Sequence, residues 1–353
     1  MKFEIKNRFT GAVQVTAEIE CAEDESVSVK LGLAVKWAIS ASADLAGANL
    51  ARANLARANL ADAYLARADL SGAYLARANL ARANLSGANL ADAYLADAYL
   101  ARADLADAYL ARAYLARADL SDAYLARANL SGAYLARANL ADAYLARADL
   151  SGAYLARANL ARANLSGANL AGAYLARADL AGANLARANL ADANLSGANL
   201  ADAYLADAYL AGADLADAYL ARAYLARADL ADAYLAGANL AGALKIDPSE
   251  IPVIPNIDDT ILAAIESGGV LDMSAWHGVG GWCGTTHCRA GWAIHFGGEK
   301  GKALQDKLGP NVAGTLIYEA SRPGRPAPWF FDSTEGALAD LRKCAKAQRG
   351  ELA

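Results

Sequence analysis

A chain of 353 residues that is 56% hydrophobic, with a formal net charge of −5, is long enough to bury a substantial core and to hold two or three units. That charge gives neither the basic footprint of a general nucleic-acid binder nor an acidic tail. Cys21, Cys283, Cys288 and Cys344 are too sparse for a disulfide framework, no uncharged run approaches the roughly 18 residues of a membrane helix, and the opening MKFEIKNRF is unlike a secretory signal, so a cytoplasmic protein with no membrane association is expected.

Residues 1–42 read as a β-hairpin and a capping helix. Phe3 to Ile5 and Ala12 to Ile19 alternate apolar and polar residues around Asn7-Arg8-Phe9-Thr10-Gly11. Asp24 and Ser26 offer N-caps for a helix with Val29, Leu33 and Trp37 on one face and Val35 and Ile39 alongside, ready to pack over the next stretch of chain. Cys21 is expected to be a small core residue.

Residues 43–244 are dominated by an internal repeat. Leucine occupies every fifth position from Leu45 to Leu240, making 40 pentads, with Ala two residues before each Leu and only Asn, Asp or Tyr immediately before it. Ala or Ser comes after the Leu, and then Gly, Arg or Asp. At about 100° per residue a step of five turns a helix by roughly 140°, which leaves no apolar stripe. In a flat strand an odd step sends successive leucines to opposite faces. One Leu and one Ala in every pentad supply more apolar area than disordered chains offer. The pattern instead requires a chain that bends at each pentad so that every Leu faces one axis.

Units such as Ala48-Asn49-Leu50-Ala51-Arg52 resemble the pentapeptide-repeat family. The resemblance implies a mainly β fold: a right-handed quadrilateral β-helix with four pentads per coil, Leu and the preceding Ala inward, and the other positions outward. Forty pentads then make about ten coils, stacked at a spacing of about 4.8 Å. Leu75, Leu95, Leu115, Leu135 and Leu155 would form part of the inward ladder, each contributing about 1.5–3 kcal/mol. Solenoid ends expose unpaired edges, so residues 1–42 suit a cap. Tyr before Leu, which occurs 16 times, departs from the usual Asp or Asn.

Folded at 20 residues per coil, the sequence places Tyr74, Tyr94, Tyr114, Tyr134, Tyr154 and Tyr174 on one face. Three residues after each Tyr stand Arg77, Asp97, Arg117, Arg137, Arg157 and Arg177. This aromatic and arginine face can grip a partner or a single strand, or can simply shield the coil edges. Residues 56–90 are identical to 136–170, an offset of four coils that preserves faces. Residues 86–120 match 196–230, apart from Arg102 against Gly212, at an offset of five and a half coils that moves the pattern to the opposite face.

The period fails at Leu244, and residues 245–257 hold Pro248, Pro252 and Pro255, a stiff linker. Residues 258–353 read as a small, mainly helical domain, with helices at Asp258 to Ser267, near His287 to His295, at Lys300 to Leu308, after Pro310 and at Ser333 to Ala347. Asp332 and Glu335 fit a capping box there, and Leu338, Leu341 and Ala345 share a face. Within this domain His277, Cys283, His287 and Cys288 supply metal-ligating atoms at spacings unlike familiar zinc sites. Cys288 near a helix start, with His277 or His295 as base, is a nucleophile without an evident third partner. A redox pair or plain packing are the other readings. The segment also resembles a Cys-Gly-Thr-x-x-Cys-x-Ala-Gly-Trp motif of uncharacterised bacterial and phage proteins, which implies no activity.

A non-enzymatic scaffold or protein-interaction module is the leading expectation, with no cofactor, a protein as partner and no duplex DNA. The family resemblance also implies a DNA-mimic modulator of a type II topoisomerase such as gyrase. Against it, the repeats hold 17 Arg and 19 Asp, a poor imitation of phosphate charge. Cysteine catalysis or a metal site in the C-terminal domain is the third possibility.

Overall fold

The computed structural model describes residues 1–243, 248–267, 270–271, 286–287, 289–308, 310–322 and 334–349. It divides into two compact units: Met1–Ala213 with Ala218–Asp229 and Leu240–Ala243, and a second made of Asp214–Asp217, Leu230–Asn239 and the chain from Leu244 onward.

The first unit opens with β1 (Lys2–Lys6) and β2 (Val13–Glu18), paired antiparallel with Phe3 opposite Ala17 and Ile5 opposite Val15. The loop between them reflects its residue types: Asn7 Oδ1 accepts the N–H groups of Phe9 and Thr10, and Gly11 takes φ +71° without a side-chain penalty. Helix α1 (Val27–Ser40) starts at Ser26, whose Oγ accepts the N–H of Val29 at 3.3 Å. Its buried residues are Leu31, Gly32, Ala34, Val35 and Ala38. The expected face of Val29, Leu33 and Trp37 is therefore displaced: Val29 and Leu33 are half-buried and Trp37 is exposed. The physical reason is close approach to backbone. A Cβ on Gly32 would collide with the carbonyl oxygen of Asn54, so the helix turns its small residues toward the neighbouring chain. Cys21 is also corrected, from core to half-buried, with its Sγ 3.7 Å from Met1 Sδ.

Residues 1–42 pair with the backbone groups that open the repeats. The N–H of Asn49 donates to Lys6 O, that of Arg8 to Gly47 O and that of Asn54 to Ser28 O, at 2.7–2.9 Å. Gln14 Nε2 donates to the carbonyls of Asp44 and Ala46 at 2.9 Å.

The repeats pair at an offset of 20 residues, as in the parallel bridges Tyr134–Tyr154 and Asn139–Asn159, so four pentads make one coil. Each pentad contributes one bridged residue rather than an extended strand. The Leu135 pentad shows how backbone groups are satisfied. Leu135 N–H donates to Tyr154 O (2.8 Å) and Arg137 N–H to Ala156 O (3.1 Å), both one coil onward. Asn139 N–H donates to Ala118 O one coil back, and Ala138 N–H closes a β-turn on Leu135 O. The second residue after Leu sits at the third position of that turn and has φ near +60°, as type II geometry requires, whether it is Gly, Arg or Asp. From Leu45 to Leu220 every repeat leucine is fully buried, Leu75, Leu95, Leu115, Leu135 and Leu155 among them.

The second unit contains a short 3₁₀ turn at Pro248–Glu250, then α2 (Ile257–Glu266), β3 (Val270–Leu271) parallel to β4 (Thr286–His287), α3 (Arg289–Phe296), α4 (Gly298–Leu308), α5 (Pro310–Ser321) and α6 (Thr334–Gln348). Ile254 and Ile257, in the proline-containing segment, join Ile261, Trp292, Ile317 and Leu341 in its core. Asp258, in the first turn of α2, is fully buried and paired with Arg322 at 3.1 Å, while Gln348 Oε1 accepts the N–H groups of Asp258 and Asp259. Leu341 and Ala345 are buried with Leu338 packed against them, whereas Asp332 of the expected capping box lies outside the described residues. No described helix is long and apolar enough to cross a membrane.

Candidate interaction surface

Two outward positions in each pentad build the surface: the residue before Leu and the residue at the turn. Before Leu, an Asn or Asp carboxamide or carboxylate accepts the backbone N–H two residues on. Ala141 N–H donates to Asn139 Oδ1 at 3.2 Å and Ser121 N–H to Asp119 Oδ1 at 3.1 Å. This satisfies the one pentad N–H that neither the turn nor the coil-to-coil bonds use. The same side chains join across coils, with Asn139 Nδ2 donating to Asp119 Oδ1 and Asn159 Nδ2 to Asn139 Oδ1.

Tyrosine gives up that backbone bond, and where successive coils of one column carry Tyr the rings can stack. Tyr74, Tyr94, Tyr114, Tyr134, Tyr154 and Tyr174 form one continuous ladder with centroids 4.9–5.1 Å apart and planes within 2–5° of parallel. Tyr134 remains 40% exposed and Tyr174 49%. Inner rings turn their faces on each other, so they offer edges and hydroxyls outward rather than platforms for a stacking base.

The turn position on one side of this ladder carries Arg57, Arg77, Asp97, Arg117, Arg137, Arg157 and Arg177 on successive coils, six positive charges to one negative. Arg117 holds Asp97 with two hydrogen bonds of 2.7 Å, and Arg77 stands 4.0 Å from the same carboxylate. Hydrogen bonding from Arg117, helped by the charges of Arg117 and Arg77 and opposed by desolvation, holds the Asp97 carboxyl below its ordinary range. Arg137, Arg157 and Arg177 are exposed and have no carboxylate partner among the described residues. The neighbouring carboxylates Asp119 and Asp179 are each engaged by a backbone N–H and an Asn Nδ2. On the other side of the ladder stand Gly132, Gly152 and Gly172; a Cβ on Gly152 or Gly172 would meet open space.

Elsewhere, where a turn Arg follows a turn Asp by one coil, the two pair: Arg82 with Asp62, Arg112 with Asp92, Arg127 with Asp107, Arg162 with Asp142, Arg222 with Asp202 and Arg227 with Asp207, at 2.5–3.0 Å. Sequence reasoning located the Tyr and Arg columns but missed these pairs, the Asn ladders and the glycine edge. All three are readable at the same offset of 20.

His277, Cys283 and Cys288 lie outside the described residues, as does the side chain of His287, whose backbone is in β4. His295 lies in α3 with its ring 5.6 Å from Trp292 and 5.4 Å from Phe296. Among the described residues no group of three or more His, Cys, Asp or Glu is placed to hold a metal ion.

Three comparisons bear on these repeats. The family model "Pentapeptide repeats (8 copies)" matches residues 43–82, 78–115, 93–132, 103–141, 133–172, 168–205 and 203–242. No curated protein matches the chain. Among solved structures the chain is similar to HetL, a pentapeptide repeat protein involved in heterocyst differentiation regulation from the cyanobacterium Nostoc sp. strain PCC 7120, at 37% identity and a TM-score of 0.52, covering 59% of this chain and 93% of HetL. Trypsin-treated QnrB1, a plasmid-mediated fluoroquinolone resistance protein, matches at 20% identity and a TM-score of 0.36, over 46% of this chain and 83% of QnrB1. With its family model covering residues 43 to 242 without a break, the chain belongs to the pentapeptide repeat family.

Proposed function

We propose that this protein is a non-enzymatic scaffold whose repeats form a right-handed quadrilateral β-helix of about ten coils and bind a protein partner in the cytoplasm along the tyrosine and arginine edge. The carrying observation is that Arg137, Arg157 and Arg177, on three successive coils beside a stacked tyrosine ladder, have no carboxylate partner among the described residues, whereas seven arginines elsewhere in the array hold an Asp one coil earlier. Exposed aromatics beside uncommitted guanidinium groups are the side chains that dominate protein interfaces. Residues 1–42 serve as the cap, because their hydrogen bonds occupy the first coil's edge. Residues 245–257 lead into a helical domain at 258–353, whose core also takes in Ile254 and Ile257, and Cys283 and Cys288 have a structural rather than a catalytic or metal-binding role in this reading.

Affinity capture from the native host tests this reading, comparing the full-length protein with a variant carrying Arg137→Gly, Arg157→Gly and Arg177→Gly. A protein retained by the first and lost by the second is expected. Equal retention by both would remove the edge from the function. A DNA-mimic role is disfavoured, because seven of the array's aspartates are already neutralised by arginine. The purified protein should accordingly leave gyrase supercoiling unaffected at micromolar concentration, and strong inhibition would favour mimicry.

A further inference from the structure

The pitch and charge of the edge point to a partner of definite form. We propose that Arg137, Arg157 and Arg177 dock an α-helix that carries one carboxylate per turn and lies along the coil axis; this rests on the interaction reading above. Rings in the ladder are parallel copies of one another, so their centroid spacing of 4.9 Å is the coil repeat, and the backbone bearing the arginines advances by the same step. An α-helix advances about 5.4 Å per turn, and acidic residues at alternating three- and four-residue spacings present a stripe at that pitch. The mismatch of roughly half an ångström per step is within reach of a flexible arginine. An extended strand presents same-side residues about 6.7 Å apart and falls out of register by the third arginine. A polyproline II segment repeats at about 9.3 Å and meets only every second one.

Charge agrees with pitch. Three adjacent guanidinium groups have no carboxylate partner among the described residues, and the nearby Asp119 and Asp179 are turned to backbone and amide donors. Single-stranded nucleic acid fits less well, because the inner rings cover each other's faces and leave no platform for bases.

The test is fluorescence anisotropy on the full-length protein with three probes: a helical peptide with a glutamate stripe, a peptide of the same composition with its glutamates scattered around the helix, and a single-stranded oligonucleotide. The stripe peptide should bind more tightly than the scattered one and lose affinity as salt rises. The Arg137→Gly, Arg157→Gly, Arg177→Gly variant should weaken it by about threefold to a hundredfold, from three exposed charge pairs. Glycine accepts the positive φ of these turns, and a retained melting transition verifies folding. A control removing Arg102, Arg147 and Arg187 in the same way should bind normally. Equal binding of the two peptides, or equal weakening by the control, overturns the proposal. Tighter binding of the oligonucleotide through the same arginines also overturns it and makes the edge a nucleic-acid surface. A capture experiment that still finds an edge-dependent partner after the peptides fail would leave the scaffold reading standing and reject only the acidic helix.

Discussion

A single leucine in the array is fixed by its five-residue position and by nothing else in its neighbourhood. Leu135 is fully buried and its N–H is already committed to Tyr154 O. Leu135→Asp therefore places an unpaired charge among leucines and should cost about 3–5 kcal/mol. Thermal melting checks this, and an unchanged transition would contradict the inward assignment. Gly32 is the opposite case, a residue whose role the sequence did not reveal. Its buried surface faces the carbonyl of Asn54, a contact invisible to hydrophobic periodicity because neither partner is an apolar side chain. Gly32→Ala should destabilise the first unit by about 1–3 kcal/mol through forced displacement of α1, measured by denaturant titration. Leu33 and Trp37 misled for the same reason, since large apolar residues outweigh Ala34 and Ala38 in any reading of helix faces although the small ones permit the close packing.

At the scale of the element, the coil was legible because its period is unbroken, and the offset of 20 is set once four pentads close a turn. The expected hairpin coincides with β1 and β2, α4 begins at Gly298, two residues before the expected Lys300, and α5 begins at the helix-starting Pro310. The inter-coil ion pairs supply a pH prediction. Asp62, Asp97, Asp107, Asp142, Asp202 and Asp207 are each held below their ordinary value of 3.8, chiefly by a hydrogen bond from arginine one coil onward. A carboxyl whose folded value is depressed stabilises the fold above its unfolded value and loses that contribution as pH falls through the folded one. Stability of the array should thus be level above the ordinary carboxylate range and decline below it, modestly because these pairs are exposed. Replacing Asp97, Asp107 and Asp142 with Asn should flatten that decline in melts recorded from neutral to acid pH; an identical decline in the variant would remove the pairs as its source.

For the whole molecule the division of labour is between a repeat array that offers a charged aromatic edge and a helical unit organised around the buried Asp258–Arg322 pair. The candidate site was half legible: the tyrosine and arginine columns emerge from the 20-residue register, and the same column shows which arginines follow an Asp by one coil, but that Asp119 and Asp179 turn to backbone N–H groups and amides rather than to a neighbouring arginine is a matter of side-chain geometry that no column shows. The Cys and His segment was legible only as composition, because its spacing matches no familiar site. Whether function resides on this edge can be decided by site-specific photo-crosslinking in the native host. A photoreactive phenylalanine analogue at Tyr154 lies in the ladder beside Arg157, and one at Tyr144 lies in the shorter stack with Tyr124 on another face. A discrete protein adduct is expected from the Tyr154 position and none from Tyr144; adducts from Tyr144 alone, or equally from both, would place function elsewhere on the molecule.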